Sequence, residues 1–145
     1  MRLRVLGCSG GIGAGSRTSA LLVDNDVLID AGTGSGDLQL GESDSIRHVF
    51  LTHAHLDHIA GLPMLVDSVF EEDFDKPLTV YAREETLRAI QDHLFNDVIW
   101  PNFAKLPSAE RPMPVSYTYL TLPTNRVAGG GGGGGGGGVG GGGGG

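Results

Sequence analysis

The 145-residue sequence predicts an α/β fold, one half of a sandwich in which helices flank a mixed sheet. Three observations predict it. Short apolar, β-branched segments alternate with turn residues over the first third of the chain, and segments with helical periodicity follow them. Histidines and an aspartate cluster directly after a predicted strand, which is where α/β proteins place their chemistry. No internal repeat is visible.

The N-terminal segments predict strands joined by tight turns. Residues 3–6 form a short apolar strand that leads into the glycine-rich segment 7–16. Residues 19–23 and 27–29 predict a hairpin, because residues 24–26 between them read Asp-Asn-Asp, which favours a turn. A second glycine-containing loop follows this hairpin.

The remaining segments alternate strand and helix. Residues 48–52 predict a strand that ends at the histidine cluster, and residues 78–81 predict another. Helices are predicted over 61–70 and over 84–95, the second with its apolar residues on one face. We expect residues 100–103, Trp-Pro-Asn-Phe, to end that helix and fold back over apolar surface.

Composition divides the chain into three parts. Sixteen of the 26 glycines lie in residues 129–145, and a run without side chains cannot join a core, so we expect a disordered polyglycine tail there. Residues 115–124 resemble the translation of a transposon-type sequencing adapter, from which only Tyr119 differs. We therefore expect residues 115–128 to be a non-native, adapter-derived segment and residues 1–114 to be a truncated domain.

Net charge and cysteine content restrict which binding partners and which cellular compartment are expected. The formal net charge of −7 argues against a nucleic-acid partner, because binding to phosphates needs clustered Lys and Arg. Cys8 is the single cysteine, so no disulfide framework is predicted, and we expect it to be a small buried residue. No signal peptide or membrane-spanning stretch is visible. We expect a cytoplasmic protein without a membrane partner; its oligomeric state is open, a homodimer included.

Four side chains within six residues form the strongest functional pattern: His53, His55, Asp57 and His58. Imidazole nitrogen and carboxylate oxygen are the ligands that zinc accepts, and manganese or iron(II) less strictly. His53 and His55 are two apart, so an extended backbone directs both the same way. The spacing predicts one metal ion on this pair and a second ion on Asp57 and His58. A histidine-rich surface loop is the alternative.

Other polar residues near the motif are weaker candidates. The glycine-rich segment lacks the lysine of a P-loop and precedes a predicted hairpin rather than a helix, so no nucleotide cofactor is expected. On that segment Ser9 is a candidate for substrate contact, with packing as the alternative. Asp30 ends an apolar strand, where its carboxylate either orients a metal-binding histidine or caps its own loop. Thr52 is expected to give structural support.

The segment from His53 to His58 resembles the H-x-H-x-D-H signature of the metallo-β-lactamase superfamily. Residues 6–11, 28–34 and 100–103 resemble the corresponding segments of bacterial class II 3′,5′-cyclic-nucleotide phosphodiesterases, and the likeness covers nearly all of residues 1–114. It implies the N-terminal half of a metallo-β-lactamase-type αββα sandwich. Pro63 departs from the class II signature, which there continues through aliphatic residues.

The resemblance implies a phosphodiesterase with two divalent metal ions, Zn²⁺ first and Mn²⁺ or Fe²⁺ as alternatives. Its substrate would be a small cyclic nucleotide, cAMP or cGMP, hydrolysed to a nucleoside 5′-monophosphate. His53 and His55 would bind one ion, and Asp57 and His58 the other. Asp57 would also be catalytic, orienting the attacking water or accepting its proton. The family's remaining ligands come from its C-terminal half, and no Asp or His follows Asp97, so we expect this chain alone to be inactive.

Three alternatives remain open. A zinc-dependent tRNA 3′-processing endonuclease carries a very similar glycine turn and metal motif. A hydrolase of the same fold that acts on a lactone, thioester or sulfate ester is compatible with the motif as well. A non-catalytic metal-binding fragment is the alternative from another class.

Overall fold

A six-stranded mixed sheet is the centre of the computed structural model, which describes residues 1–72, 77–103, 107–108, 111–112 and 115–120. The strand order is β1-β2-β3-β4-β5-β8, and β6 and β7 form a separate two-stranded ribbon. The strands are β1 (Leu3–Gly7), β2 (Ala20–Val23), β3 (Val27–Ile29), β4 (His48–Phe50), β5 (Leu78–Ala82), β6 (Pro107–Ser108), β7 (Arg111–Pro112) and β8 (Val115–Tyr119).

The sheet changes from antiparallel to parallel at β3. Strands β1, β2 and β3 pair antiparallel, and β3, β4, β5 and β8 pair parallel. The predicted hairpin is confirmed, with Val23 opposite Val27. Its turn begins at Asp24, whose φ of 50° is a left-handed conformation that aspartate tolerates better than most residues. The mixed sheet confirms the predicted α/β class.

Helices connect the parallel strands. They are a 3₁₀ helix (Thr33–Asp37), α1 (Leu40–Ser43), α2 (Leu56–Ile59), α3 (Leu62–Glu72) and α4 (Glu84–His93). Helices α3 and α4 confirm the two predicted helices, and α3 accommodates Pro63 in its first turn, where the missing N–H has no helical partner. The predicted fold-back of residues 100–103 is confirmed too. There Phe103 is buried, with its ring centroid 5.6 Å from that of Phe95.

One face of the sheet is the hydrophobic core. Leu22, Leu28, Val49 and Val80 align in register across β2 to β5 and are all buried. They belong to one cluster with the buried apolar residues of α3 and α4. Those residues are Leu62, Leu65, Val66, Val69, Leu87 and Ile90. Burial of this many aliphatic side chains is the main force that holds the helices on the sheet.

The opposite face of the sheet is apolar but only partly buried. Leu21, Ile29, Phe50 and Tyr81 align across the strands one residue further along, and each retains partial exposure. In the same row Val5 is 55% exposed. The rings of Phe50 and Tyr81 stack with centroids 4.5 Å apart. Both faces of the sheet are therefore apolar, but only the core face is well covered by other residues.

An ion pair fixes α1 against the edge strand β1. The Arg4 guanidinium donates two hydrogen bonds to the Glu42 carboxylate, at 2.7 and 2.9 Å, and the Gln39 amide donates a third at 3.0 Å. These bonds, that from Arg4 first, lower the pKa of Glu42 to about 2.

The position of Cys8 corrects an expectation. We expected a buried cysteine, but Cys8 is exposed. The reason lies in the preceding residue: Gly7 is buried against the backbone of residues 17 and 18, so the next residue of the extended chain faces outward.

Two further predictions concern the C-terminal part of the chain. Residues 115–119 form β8, which pairs in parallel with β5, and residues 129–145 lie outside the described residues. The pairing of β8 does not test whether these residues are native, so the division of the chain at residue 114 stays a prediction. None of the helices in the described ranges is long and apolar enough to cross a bilayer.

Candidate metal centre

The loops after β3 and β4 meet at one edge of the sheet. Both strands run in the same direction, so their carboxyl ends lie side by side. Three backbone hydrogen bonds join the two loops: the Asp30 amide donates to the Phe50 carbonyl (2.8 Å), Ala31 to His58 (2.7 Å) and Gly61 to Ala31 (2.8 Å). The strand pairing thus brings Asp30 next to a motif that follows it by more than twenty residues.

Two glycines allow the loops to approach this closely. A Cβ atom on Gly32 would lie 2.2 Å from the Asp57 carbonyl oxygen, and one on Gly61 would lie 2.0 Å from Ser35 Oγ. Distances this short are far inside van der Waals contact, and the Asp57 oxygen belongs to the backbone, which cannot rotate away. The close approach of Gly32 therefore fixes where α2, and with it Asp57 and His58, sits relative to β3.

Asp30 is the buried anion of the site. Its φ of 55° turns the chain at the end of β3, and its side chain is only 7% exposed. The carboxylate accepts hydrogen bonds from the Thr52 amide (2.8 Å), the Thr52 hydroxyl (2.9 Å) and His58 Nδ1 (2.7 Å). Three donors satisfy a carboxylate that would be costly to bury alone.

These bonds assign the tautomers of two histidines. Asp30 only accepts, so His58 carries its proton on Nδ1. The Thr52 proton goes to Asp30, so the Thr52 oxygen accepts from His53 Nδ1 at 3.0 Å. In the neutral state both imidazoles then carry their lone pair on Nε2, the form in which histidine binds a metal ion.

The four motif side chains lie within contact of one another. The His53 ring centroid is 4.5 Å from that of His55 and 4.1 Å from that of His58. His58 Nε2 lies 3.3 Å from Asp57 Oδ2. A neutral imidazole nitrogen and a carboxylate oxygen both present lone pairs, so a shared cation would stabilise this pair. His55 is exposed at the N-terminus of α2.

The donor chemistry of these residues fits a divalent metal ion. Three imidazoles and a carboxylate are the ligand types of zinc sites, and the bond to Asp30 is the support that a metal-binding histidine commonly has. Within the described ranges, no three His, Cys, Asp or Glu side chains already converge on one point as a finished metal site. That these four residues bind metal therefore stays a prediction.

Ser9 and Asp30 differ in how they relate to the motif. Asp30 contacts both His58 and the Thr52 amide, so its side chain holds the histidine and the neighbouring segment after β4. Ser9 lies on the glycine-rich segment, where its amide donates to the Arg17 carbonyl at 2.9 Å. A small surface groove there is lined by Ser9, Cys8, Arg17 and Asp37 rather than by the histidines.

The contacts of two residues near the motif were not foreseen from the sequence. Thr52 was expected to give structural support, and the structure shows how: its hydroxyl donates to Asp30 and its oxygen accepts from His53 Nδ1. Its position directly before the first histidine, at a strand end, was the available signal. Gly32 was treated as an ordinary loop glycine, and nothing in the local sequence marks its contact with Asp57, which is distant in the chain.

The comparison with protein families decides the classification. The family of class-II cAMP phosphodiesterases matches residues 40–121, more than half of the chain, including the whole metal motif. The chain belongs to the class-II cAMP phosphodiesterase family. This confirms the resemblance on which the sequence predictions rested.

The relatives of this chain fall into two groups, cyclic-nucleotide phosphodiesterases and ribonucleases Z, and both groups are hydrolases. It is 40% identical over 57 residues to 3′,5′-cyclic-nucleotide phosphodiesterase 1 of Saccharomyces cerevisiae, covering 39% of the chain and 15% of the yeast protein. It is 33% identical over 98 residues to ribonuclease Z of Halorubrum lacusprofundi, covering 63% of the chain and 32% of that protein. The chain thus spans a third or less of the length of these two relatives.

Solved structures agree on the fold. The class-II family chain is similar to unliganded yeast PDE1 with a TM-score of 0.63 and 21% identity, over 82% of the chain and 50% of that structure. It is similar to the metallo-β-lactamase fold protein YhfI of Bacillus subtilis with a TM-score of 0.53 and 21% identity, over 82% of the chain and 45% of that structure. The predicted metallo-β-lactamase-type fold is confirmed.

Proposed function

We propose that this protein is a metal-dependent phosphodiesterase that hydrolyses 3′,5′-cyclic nucleotides, cAMP or cGMP, to nucleoside 5′-monophosphates. The observation that carries the proposal is the Asp30 network, which holds His53 and His58 through their Nδ1 atoms and leaves Nε2 of both rings to face a metal ion beside Asp57 in a chain of the class-II family. A motif that was only a histidine-rich surface loop would not need a buried carboxylate behind it.

Each residue has a distinct part in this function. His53 and His55 hold one divalent ion, and Asp57 and His58 hold the other, with Zn²⁺ first and Mn²⁺ or Fe²⁺ as alternatives. When bound, the ions supply a nucleophile at neutral pH and neutralise charge that develops on the phosphoryl oxygens.

The protein's own groups orient and move protons around these ligands. Asp30 holds the His58 ring through Nδ1, and Thr52 does the same for His53. Asp57, which is about a third exposed, orients the attacking water or accepts its proton. Gly32 keeps the Asp57 backbone against β3, so a displaced loop would misplace the carboxylate as well.

The chain by itself is proposed to bind metal without catalysing hydrolysis. Catalytic sites of this chemistry need every ligand in place, and the sequence contains no Asp or His after Asp97. A non-catalytic metal-binding fragment is therefore the expected behaviour of these 145 residues, and hydrolysis is expected of the parent gene product.

The test uses both proteins. The 145-residue chain is titrated with Zn²⁺ and compared with His55→Ala and with His93→Ala, an exposed histidine on α4 that serves as the control. The full-length gene product is then assayed with cAMP and cGMP after loading with Zn²⁺ or Mn²⁺. We expect metal-dependent release of the 5′-monophosphate that His55→Ala abolishes and His93→Ala retains. Equal metal affinity in all three chains would refute the ligand assignment.

The similarity to ribonuclease Z supports a second candidate, a tRNA 3′-processing endonuclease. The two candidates predict opposite results with the full-length protein. Cleavage of a precursor tRNA without hydrolysis of cAMP would place the protein on the nuclease side and would leave the metal ligands unchanged. The formal charge of −7 on this chain favours the small substrate, because binding to tRNA needs clustered cations.

A further inference from the structure

A cavity beside the metal motif has no role in the chemistry described so far. It lies between the 3₁₀ helix, α1 and α3 and has a volume of about 380 Å³, within the range of roughly 300–1,000 Å³ typical of small-molecule sites. Its walls continue the two loops of the metal centre. Thr33 follows Gly32 directly, and Ala60 and Gly61 follow His58 after a single residue.

The lining of the cavity is uncharged. Leu38, Met64 and Leu65 supply apolar surface, and the other described lining residues are small or bear hydroxyls. An anion such as a phosphate would find no counter-charge among them. A flat, neutral, mostly apolar group would replace water there at little electrostatic cost.

The hydroxyl groups of the cavity are arranged as acceptors. Ser35 Oγ donates to the Gly32 carbonyl at 2.7 Å, Ser68 Oγ to the Met64 carbonyl at 2.9 Å, and Ser43 Oγ to the Gln39 carbonyl at 3.4 Å. Each serine hydroxyl donates its single proton to a backbone carbonyl. Its oxygen can therefore only accept a hydrogen bond from a ligand. Such a wall favours a group that donates N–H bonds.

We propose that this cavity binds the purine base of the nucleotide, with the exocyclic amino group directed at the serine oxygens. The inference rests on the proposed function, since a cyclic nucleotide would place its phosphate at the metal ligands and its base in a neighbouring pocket. Thr33 supplies the complementary donor: its Oγ1 accepts from the Thr18 amide at 2.9 Å and from the Thr18 hydroxyl at 3.3 Å, which leaves its own proton for a ring nitrogen.

The test needs no metal and no catalysis, because adenosine lacks the phosphate. The 145-residue chain, labelled with ¹⁵N, is titrated with adenosine and with purine riboside, which lacks the amino group. We expect saturable shifts at the amides of Thr33, Ser35 and Ser68. Adenosine is expected to bind roughly threefold to tenfold more tightly, the value of about one hydrogen bond.

Two variants and a control make the result specific. Ser68→Phe fills the cavity and is expected to weaken adenosine binding by at least roughly tenfold, and Gln91→Phe on α4 adds the same ring away from the cavity and should change nothing. Ser68→Ala removes one acceptor and should reduce the preference for adenosine over purine riboside. The spectrum of each variant shows whether it is folded.

The outcomes separate this inference from the proposed function. No saturable shift with millimolar adenosine, or equal binding of both nucleosides, overturns the base pocket even if Zn²⁺ binding depends on His55. Adenosine binding that Ser68→Phe abolishes supports the pocket, even if metal binding proves independent of His55 and the proposed function fails.

Discussion

Two glycine-containing loops of this chain look alike in sequence and behave differently in structure. In the loops of the metal centre, a Cβ on Gly32 or Gly61 would meet another atom at 2.2 or 2.0 Å. In the glycine-rich segment after β1, a Cβ on Gly10 or Gly11 would meet nothing within 4 Å. The first loop is packed around a buried carboxylate, whereas the second presents Ile12, 80% exposed, to solvent.

The difference shows where the structure demands glycine and where it merely contains it. The glycine-rich segment attracted attention first because glycines repeat there. Within that segment glycine is required only at Gly7, where a Cβ would lie 2.1 Å from the Thr18 carbonyl oxygen, and at Gly15, whose φ is 74°. The less conspicuous loop after β3 requires glycine just as strictly, because two backbones touch there. A glycine count therefore says little about a site unless the structure shows what a side chain would meet.

The largest expected effect comes from Gly32→Ala, with Gly11→Ala as its matched control. Gly32 has a φ of −71°, which alanine adopts readily, so any loss comes from steric clashes, first with the Asp57 carbonyl oxygen and then with Thr18 Oγ1 and the Ser19 carbonyl oxygen, and not from handedness. We expect Gly32→Ala to lower the free energy of unfolding by roughly 1–3 kcal/mol or more, and Gly11→Ala to change it by less than about 0.5 kcal/mol. Urea unfolding followed by circular dichroism measures both. Similar losses in the two variants would remove the contrast between the loops.

Next in size is the effect of Asp30→Asn on metal affinity. Asparagine tolerates the left-handed backbone and keeps an acceptor for Thr52 but lacks the charge that holds His58. We expect Zn²⁺ affinity to fall roughly 10–100-fold, measured by competition with a chromophoric chelator. Asp24→Asn is the control, because Asp24 also has a positive φ but lies in the hairpin turn. An equal loss in both variants would mean that net charge alone matters.

A smaller effect is expected from Thr52→Val, which removes the hydroxyl between Asp30 and His53 but retains the backbone amide bond. Zn²⁺ affinity should fall roughly threefold to tenfold, the value of one hydrogen bond. Long-range ¹⁵N–¹H spectra of the imidazoles should show a mixed tautomer at His53 and an unchanged one at His58. Thr79→Val on β5 controls for the loss of a strand hydroxyl. An unaltered His53 tautomer would contradict the network.

The smallest effect is expected from Glu42→Gln, which removes the ion pair with Arg4 and leaves the metal centre unchanged. Hydrogen bonds lower the folded-state pKa of Glu42 from its ordinary value of 4.5 to about 2, so the pair stabilises the fold fully above pH 4.5. That contribution is lost as the pH falls toward 2. The difference in melting temperature between wild type and Glu42→Gln should therefore shrink over this window, while Zn²⁺ affinity at neutral pH stays the same in both. A difference that does not change with pH would refute the assigned pKa.

The secondary-structure elements with a clear hydrophobic periodicity could be predicted from the sequence. The hairpin around Asp24, strand β5 and helices α3 and α4 follow from alternation, turn residues and an apolar helical stripe. The 3₁₀ helix, α1 and α2 were not predicted. Each spans five residues or fewer, which is too short for a periodic pattern to emerge from the surrounding polar residues.

The site could be predicted only as far as local spacing reaches. His53, His55, Asp57 and His58 are adjacent in sequence, and the structure brings their side chains together. The partners of Asp30 were left open between a histidine and its own loop, because the answer depends on strand pairing across more than twenty residues. Ser9 was a candidate for contact with substrate, and the structure gives it no link to the motif among the described residues.

The division of the chain at residue 114 remains our proposal and has a direct check. The family match continues to residue 121, and β8 begins at Val115, so both extend past the proposed boundary. Re-amplification of the gene from source DNA decides the matter. A natural coding sequence in place of the glycine codons would support the proposal, and recovery of the same glycine codons would end it.

The distance in sequence between Asp30 and His58 has a consequence for how the chain handles metal. An unfolded chain still has its histidines next to one another, but it lacks the anion that selects their tautomers, because that anion arrives only when β3 and β4 pair. The apparent metal affinity is therefore expected to depend on the fraction of chains that are folded. By thermodynamic linkage, an ion that prefers the paired state raises the melting temperature in proportion to the logarithm of its concentration once binding is saturated.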